Sequence, residues 1–182
     1  MLSQKIEVES WNAQWQMDFR QKATAIRDVL GERALRIDHI GSTSVERLAA
    51  KPIIDIQISV LEFEPFDPIV SAMAGIGYCW RPKNPDLSKR YFREDPGNER
   101  THIHMRHAGS WHEQWALLFR DYMRTHPEEH QAYVDLKRAL ANEHHDNRLA
   151  YTQGKDDYFW QIIRRANRWA SDTGWLAAFS DA

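Results

Sequence analysis

A glycine followed by three hydroxyl residues, Gly41-Ser42-Thr43-Ser44, stands shortly before an alternating stretch that carries Asp55. Gly41 closes one expected strand and opens a helical turn, and a glycine there lets the backbone approach a ligand closely. The hydroxyls of Ser42, Thr43 and Ser44, with the free N–H groups of a helix start, form an anion site. Lys51 is near enough in sequence to add a positive charge. A carboxylate such as Asp55 facing a phosphate cradle is the usual arrangement for metal-dependent phosphoryl and nucleotidyl transfer, because the metal bridges protein and phosphate oxygens. The same Gly-Ser-Thr-Ser turn is also a common helix cap. An Asp inside a sheet is harder to dismiss, since an unpaired buried carboxylate is costly.

His102 and His104 lie two apart in a second strand pattern, so both rings point the same way. With Asp55 beside them they make one carboxylate and two imidazoles, a set that suits Zn, Mn or Fe better than Mg. The plainer alternative is a polar sheet face whose histidines bond to their neighbours. Lys89, Arg90, Arg93 and Arg106 cluster on the same hairpin and could meet a phosphate-rich ligand, although alternating charges on hairpins are commonly just solvated. One of Asp38 and His39 is expected to face the pocket. His144-His145-Asp146 has ligand-type side chains but falls at an exposed helix end. Cys79, between Tyr78 and Trp80, reads as a buried inert thiol.

The elements that must position these groups are visible in the hydrophobic pattern. Trp11, Trp15, Phe19, Ala23, Ile26 and Leu30 recur at helical spacing between Ser10 and Gly31. Residues 34–40 read as a strand, and 45–50 as a short helical turn. Residues 53–60 alternate cleanly, with Ile54, Ile56, Ile58 and Val60 on one face and Asp55, Gln57 and Ser59 on the other. A helix is expected over 66–74, a strand over 78–81, a loop over 81–87, and a hairpin of 89–94 with 100–107. From Trp111 the pattern is helical, restarted at Pro127, with a last helix over about 156–170. The order predicts an α/β or α+β domain: a mixed sheet flanked by helices, with a helical C-terminal third. Residues 1–170 read as one domain, and 171–182 as a short apolar tail carrying Trp175, Leu176 and Phe179.

The chain has 182 residues and a formal net charge of −2, so no global basic excess points to nucleic acid. A single cysteine forbids an intrachain disulfide, and no apolar run approaches the ~18 residues of a membrane span. A cytoplasmic protein with no membrane partner is the expectation. The eight tryptophans are expected to fill the core and the helix seams, with the Trp-rich C-terminal region as a candidate surface for a protein partner.

The run from His39 to Val45, followed by Leu48 to Ile56, resembles the signature of the GrpB family. Arg100 to Met105 resembles that family's His-x-His strand, Phe119 to Tyr122 with His126-Pro127 its next helix and turn, and Tyr151-Thr152 with Lys155 its last motif. The resemblance covers about residues 8–170. It implies a nucleotidyltransferase-like fold and a kinship with domains fused to dephospho-CoA kinase in some bacteria. It equates Gly41-Ser42 with the Gly-Ser motif of nucleotidyltransferases and Asp55 with their first metal carboxylate, and adds Lys155 as a ligand-binding candidate. The chain departs from active nucleotidyltransferases at Gln57, where a second carboxylate is usual, and at His102 or His104, where a third is usual.

The expected site is therefore Asp55 and His104 for catalysis, Asp55, His102 and His104 for a divalent metal (Mg or Mn, with Zn as an option), and Gly41, Ser42, Thr43, Ser44, Lys51, Arg90, Arg93 and Lys155 for phosphate. The expected ligand is a nucleotide or other phosphate-bearing small molecule. Three functions fit: metal-dependent nucleotidyl transfer, a non-catalytic module binding a nucleotide or CoA-like ligand, and an interaction protein.

Overall fold

A computed structural model describes residues 6–182. Helix α1, Gln14–Leu30, buries Trp15, Phe19, Ala23, Ile26 and Leu30, the face its periodicity predicts. Five strands follow among helices: β1 Arg36–Ile40, β2 Ile54–Val60, β3 Tyr78–Trp80, β4 Lys89–Glu94 and β5 Thr101–His107. They form one mixed sheet in the order β1-β2-β5-β4-β3. Only the β2–β5 pair is parallel, and its register sets Asp55 against His102 and Gln57 against His104. The chain between them supplies α2, Asp67–Gly75, and the β3–β4 strands, the long crossover that a parallel pair requires.

Each face of the sheet has its own cover. Ile56, Ile58, Ile103 and Met105 are wholly buried in a core shared with α1 and α2. Burial of each such side chain contributes about 1.5–3 kcal/mol. The polar face lies under the C-terminal helices: α3 Trp111–Thr125, α4 His130–Glu143, α5 Arg148–Gln153 and α6 Asp156–Thr173. Val45, Leu48 and Ala49 pack there against Phe119, Tyr122, Met123, Tyr133, Ile162 and Ala166. The sheet is thus sandwiched in an α/β fold with a helical C-terminal third.

Several local expectations are corrected. Residues 45–50 form no helix. A single 3-10 turn, Ser42–Ser44, is followed by a tight turn in which Leu48 N donates to Val45 O at 3.3 Å, after which Ala50 bridges Glu9 with backbone bonds of 2.8 and 2.9 Å. The tryptophans divide: Trp15 is buried, Trp115 and Trp169 pack half-buried with α3 and α6, and Trp80, Trp111 and Trp160 are exposed. Cys79 is half-buried where a buried thiol was expected, and it donates to Asp95 Oδ1 at 2.7 Å, a carboxylate neighbour that raises its pKa.

The tail docks through Trp175, which packs on the hydrophobic cluster of the C-terminal helices and donates from Nε1 to Asp121 Oδ2 at 3.1 Å, and then through polar groups. Ser180 Oγ accepts from Ile37 N at 2.8 Å, donates to Ile37 O at 2.9 Å, and Asp181 Oδ2 accepts from His39 N at 3.0 Å. Leu176 and Phe179 stay exposed, at 85% and 97%. Beneath the tail, Arg120 is wholly buried and joins Asp38 at 3.2 Å, Asp181 at 2.7 Å and Asp121 at 2.7 Å. Arg36 donates to both oxygens of Asp38, at 3.0 and 2.9 Å. Among the described residues no helix is long and apolar enough to cross a membrane.

Candidate functional site

Strands β2 and β5 place three ligand-type side chains together. Asp55 Oδ1 lies 3.1 Å from His102 Nδ1 and 3.6 Å from His104 Nε2. One donor atom from each residue falls within 4.8 Å of the others, a spacing one ion could bridge. The two histidines hold the Asp55 carboxyl well below the usual carboxylate range, against the opposing effect of burial. An ionised Asp55 can only accept, so His102 Nδ1–H donates to it. His102 Nε2 is buried with no hydrogen-bond partner among the described residues. Burial pushes His104 down to about 4, aided by Lys89, so its imidazole is neutral at neutral pH. A neutral imidazole, as at His104, and an ionised carboxylate are the forms that bind metal. Tyr91 covers the pair, with ring centroids 5.8 and 5.3 Å from those of His102 and His104.

Gly41 makes room for this centre. Its φ is +71°, and a Cβ there would sit 2.7 Å from Asp55 Oδ2. Gly41→Ala is therefore expected to cost about 1–3 kcal/mol from left-handed backbone strain and the clash together. Calorimetric melting checks this; a melting temperature within about a degree of the parent would mean that the close approach is not required.

In front of Asp55 opens a cavity of about 310 Å³, lined by Ser42, Lys51, both histidines, Tyr133, Lys137, Tyr151, Thr152 and Lys155 among others. Its ammonium groups sit on aromatic rings. Lys51 Nζ is 4.4 Å and Lys155 Nζ 4.9 Å from the Tyr151 centroid, and Lys137 Nζ is 4.3 Å from that of Tyr133. Lys137 also donates to Ala49 O and, at 3.4 Å, to Ser42 Oγ. Burial lowers Lys51 to about 8 and Lys137 to about 7, with Lys155 the next cause for both. Burial also lowers Lys155. Three cations that repel one another around a single carboxylate leave the cavity short of negative charge.

The expected residues sort by geometry. Ser42, Thr43, Lys51, Asp55, His102, His104 and Lys155 meet at the cavity. Thr43 is spent internally: its hydroxyl donates to Ile53 O at 3.2 Å and meets His39 Nε2 at 3.0 Å. Ser44 is buried and donates to Gly41 O at 2.6 Å, so it caps the turn instead of reaching a ligand. With only one helical turn there, the anticipated helix-terminus phosphate cradle is not built; the lysines supply the positive charge. Arg90 lies on the opposite face of the sheet, its guanidinium 4.3 Å from the Phe63 ring centroid, because β4 alternates and only Lys89, Tyr91 and Arg93 register on the histidine face. Arg93 shares that face but is held by Glu94 at 2.7 Å. Arg106 and Lys89 pair with Asp86, at 3.5 and 3.4 Å. Asp38 is on the site face but consumed by Arg36 and Arg120, and His39 stacks on Phe19 beneath the sheet. His145 pairs with Asp146 at 2.8 Å, away from the cavity.

Lys137 and Tyr133 were not singled out from the sequence. The available signal was a lysine in phase with Tyr133 and Leu140 on the buried face of a helix, where a cation needs a reason.

The model of the family described as "GrpB protein" matches residues 5–165. This chain belongs to the GrpB family. The UPF0157 protein YqkA of Bacillus subtilis is 38% identical over 166 residues, which are 91% of this chain and 48% of YqkA. A protein named dephospho-CoA kinase in Mycolicibacterium paratuberculosis is 30% identical over 188 residues, 89% of this chain and 46% of the kinase. The chain thus spans about half the length of these two GrpB relatives. The crystal structure of conserved protein GrpB from Enterococcus faecalis superposes with TM-score 0.82 at 34% identity, over 90% of this chain and 99% of that one. The structure of Cid1 in complex with its short product ApU superposes more loosely, TM-score 0.43 at 12% identity over 64% and 38% of the two chains, and carries no weight beyond that likeness.

Proposed function

We propose that this GrpB domain binds a phosphate-bearing small molecule, in the first instance a nucleotide, in the cavity in front of Asp55, beside one divalent transition metal held by Asp55, His102 and His104. The observation that carries the reading is the convergence of Lys51, Lys137 and Lys155 on one carboxylate. Buried ammonium groups on aromatic rings, three of them to a single carboxylate, suit a multiply charged anion. The cavity, about 310 Å³, is at the small end of small-molecule sites. One carboxylate with two imidazoles favours Zn, Mn or Fe over Mg. Metal bound there would bring Lewis acidity to a phosphate oxygen.

Gln57 favours a binding module over two-magnesium nucleotidyl transfer. It occupies the second carboxylate position, is wholly buried, and donates through Nε2 to Glu113 O at 3.2 Å, turned toward α3. Relatives named as dephospho-CoA kinases keep a nucleotide-containing, CoA-like ligand among the candidates.

A thermal-shift panel tests this: ATP, GTP, CTP, UTP and CoA, each with Mg, Mn, Zn or no added metal. A ligand at about a hundred times its dissociation constant adds ~2.7 kcal/mol, roughly 5–10 °C for this size. The shift is expected to vanish in Lys137→Met, which keeps the side-chain volume. Because Lys137 loses its proton near pH 7, affinity should fall as pH rises through about 7. No shift with any pair would reject the reading.

A further inference from the structure

Beside the main cavity lies a second one of about 270 Å³, lined by Ile6, Glu7, Glu9, Lys51, Pro52, Arg100 and Arg148. The two are neighbours by construction. Lys51 lines both. The start of β5 gives Arg100 to one and His102 to the other, and α5 gives Arg148 to one and Tyr151 with Thr152 to the other. The second lobe brings together an ammonium and two guanidinium groups, with the carboxylates of Glu7 and Glu9 also in its wall. Arg148 is exposed and Arg100 half-buried, and neither has an ion-pair partner among the described residues. Their mutual repulsion is felt: burial and then Arg148 lower the Arg100 pKa, and both arginines lower that of Lys51. Arg33, Arg36, Arg93 and Arg165, by contrast, are each tied to a carboxylate or a carbonyl.

We infer that the GrpB site is two-lobed and takes a ligand with two separate phosphate groups, one among Lys51, Lys137 and Lys155 and the other between Arg100 and Arg148, with Lys51 in the shared wall. Guanidinium groups bind phosphate through paired N–H donors, which a lone lysine cannot do. Glu9, exposed in the second lobe with its backbone held to Ala50, adds acceptors that suit the hydroxyls of a sugar spacer. The ligand class is thus a sugar or nucleoside bearing two phosphates at different positions. The inference rests on the phosphate-binding reading of the first lobe and adds the second contact.

The test is calorimetric titration of the full chain with AMP and with adenosine 3′,5′-bisphosphate, under the metal condition that gives the largest thermal shift. The bisphosphate should bind about tenfold more tightly, the worth of one or two charge-assisted hydrogen bonds. In the double variant Arg100→Gln/Arg148→Ala the bisphosphate should fall to the affinity of AMP, while AMP itself is unchanged. Circular dichroism of the variant confirms folding. Equal affinities in the parent chain, or a preference that survives in the variant, would overturn the second lobe and leave the first intact. Failure of AMP and the bisphosphate alike would overturn both.

Discussion

Asp55→Asn is expected to lower zinc or manganese affinity by more than about 100-fold, since even a residue that only orients a ligand costs 10–100-fold when removed. The carboxylate is the single anionic donor of the set, and its charge is favoured by His102 and His104. Asn keeps the shape and the hydrogen-bond reach but contributes no charge to offset a divalent ion near Lys51 and Lys155, both of which feel Asp55. Calorimetric titration of protein made without a histidine tag reads the effect, with elemental analysis as a second measure. His102→Ala should lose metal comparably. A variant holding zinc as tightly as its parent would remove the carboxylate from the site. Nucleotide affinity without metal should change in the other direction in Asp55→Asn, because the cavity then has one negative charge fewer to repel phosphate.

The second large effect is on stability. Arg120→Ala is expected to cost about 3–5 kcal/mol, the loss found when one partner of a buried ion pair is removed. Asp38 is wholly buried and would keep only Arg36, while Asp181 would lose its closest cation. For a domain of this size the melting temperature should drop by about 10 °C or more. Arg120→Lys should recover part of the loss, as one ammonium cannot serve Asp38, Asp121 and Asp181 together. A fall under about 1 kcal/mol would show that water or Arg36 alone satisfies Asp38.

The sheet was readable because a strand buried on one face repeats with period two. Ile54 to Val60 and Thr101 to His107 announce their faces residue by residue, and so Asp55, His102 and His104 could be grouped. Their register could not be read, since a parallel pair separated by 47 residues is set by the crossover and not by either strand. Arg90 was grouped with Arg93 because charge was read without the pleat; the same period that served β2 separates them. Lys137 hid inside a helical pattern whose apolar phase it shares. Helix α5 was missed because it is short and follows a polar run, its start fixed by Asn147 Oδ1 accepting from Ala150 N at 3.0 Å.

The docked tail has a bearing on how the sheet meets its surroundings. β1 is an outer strand, and the N–H groups of Ile37 and His39 that it turns outward are taken by Ser180 and Asp181 side chains. An outer strand with vacant N–H and C=O groups is a template for another chain. Side chains that occupy those groups, without forming a sixth strand, give an incoming strand nothing to extend. Ser180 and Asp181 lie beyond the family match, which ends at residue 165, and a chain shortened by its last few residues is expected to present a bare, pairing-competent margin along β1.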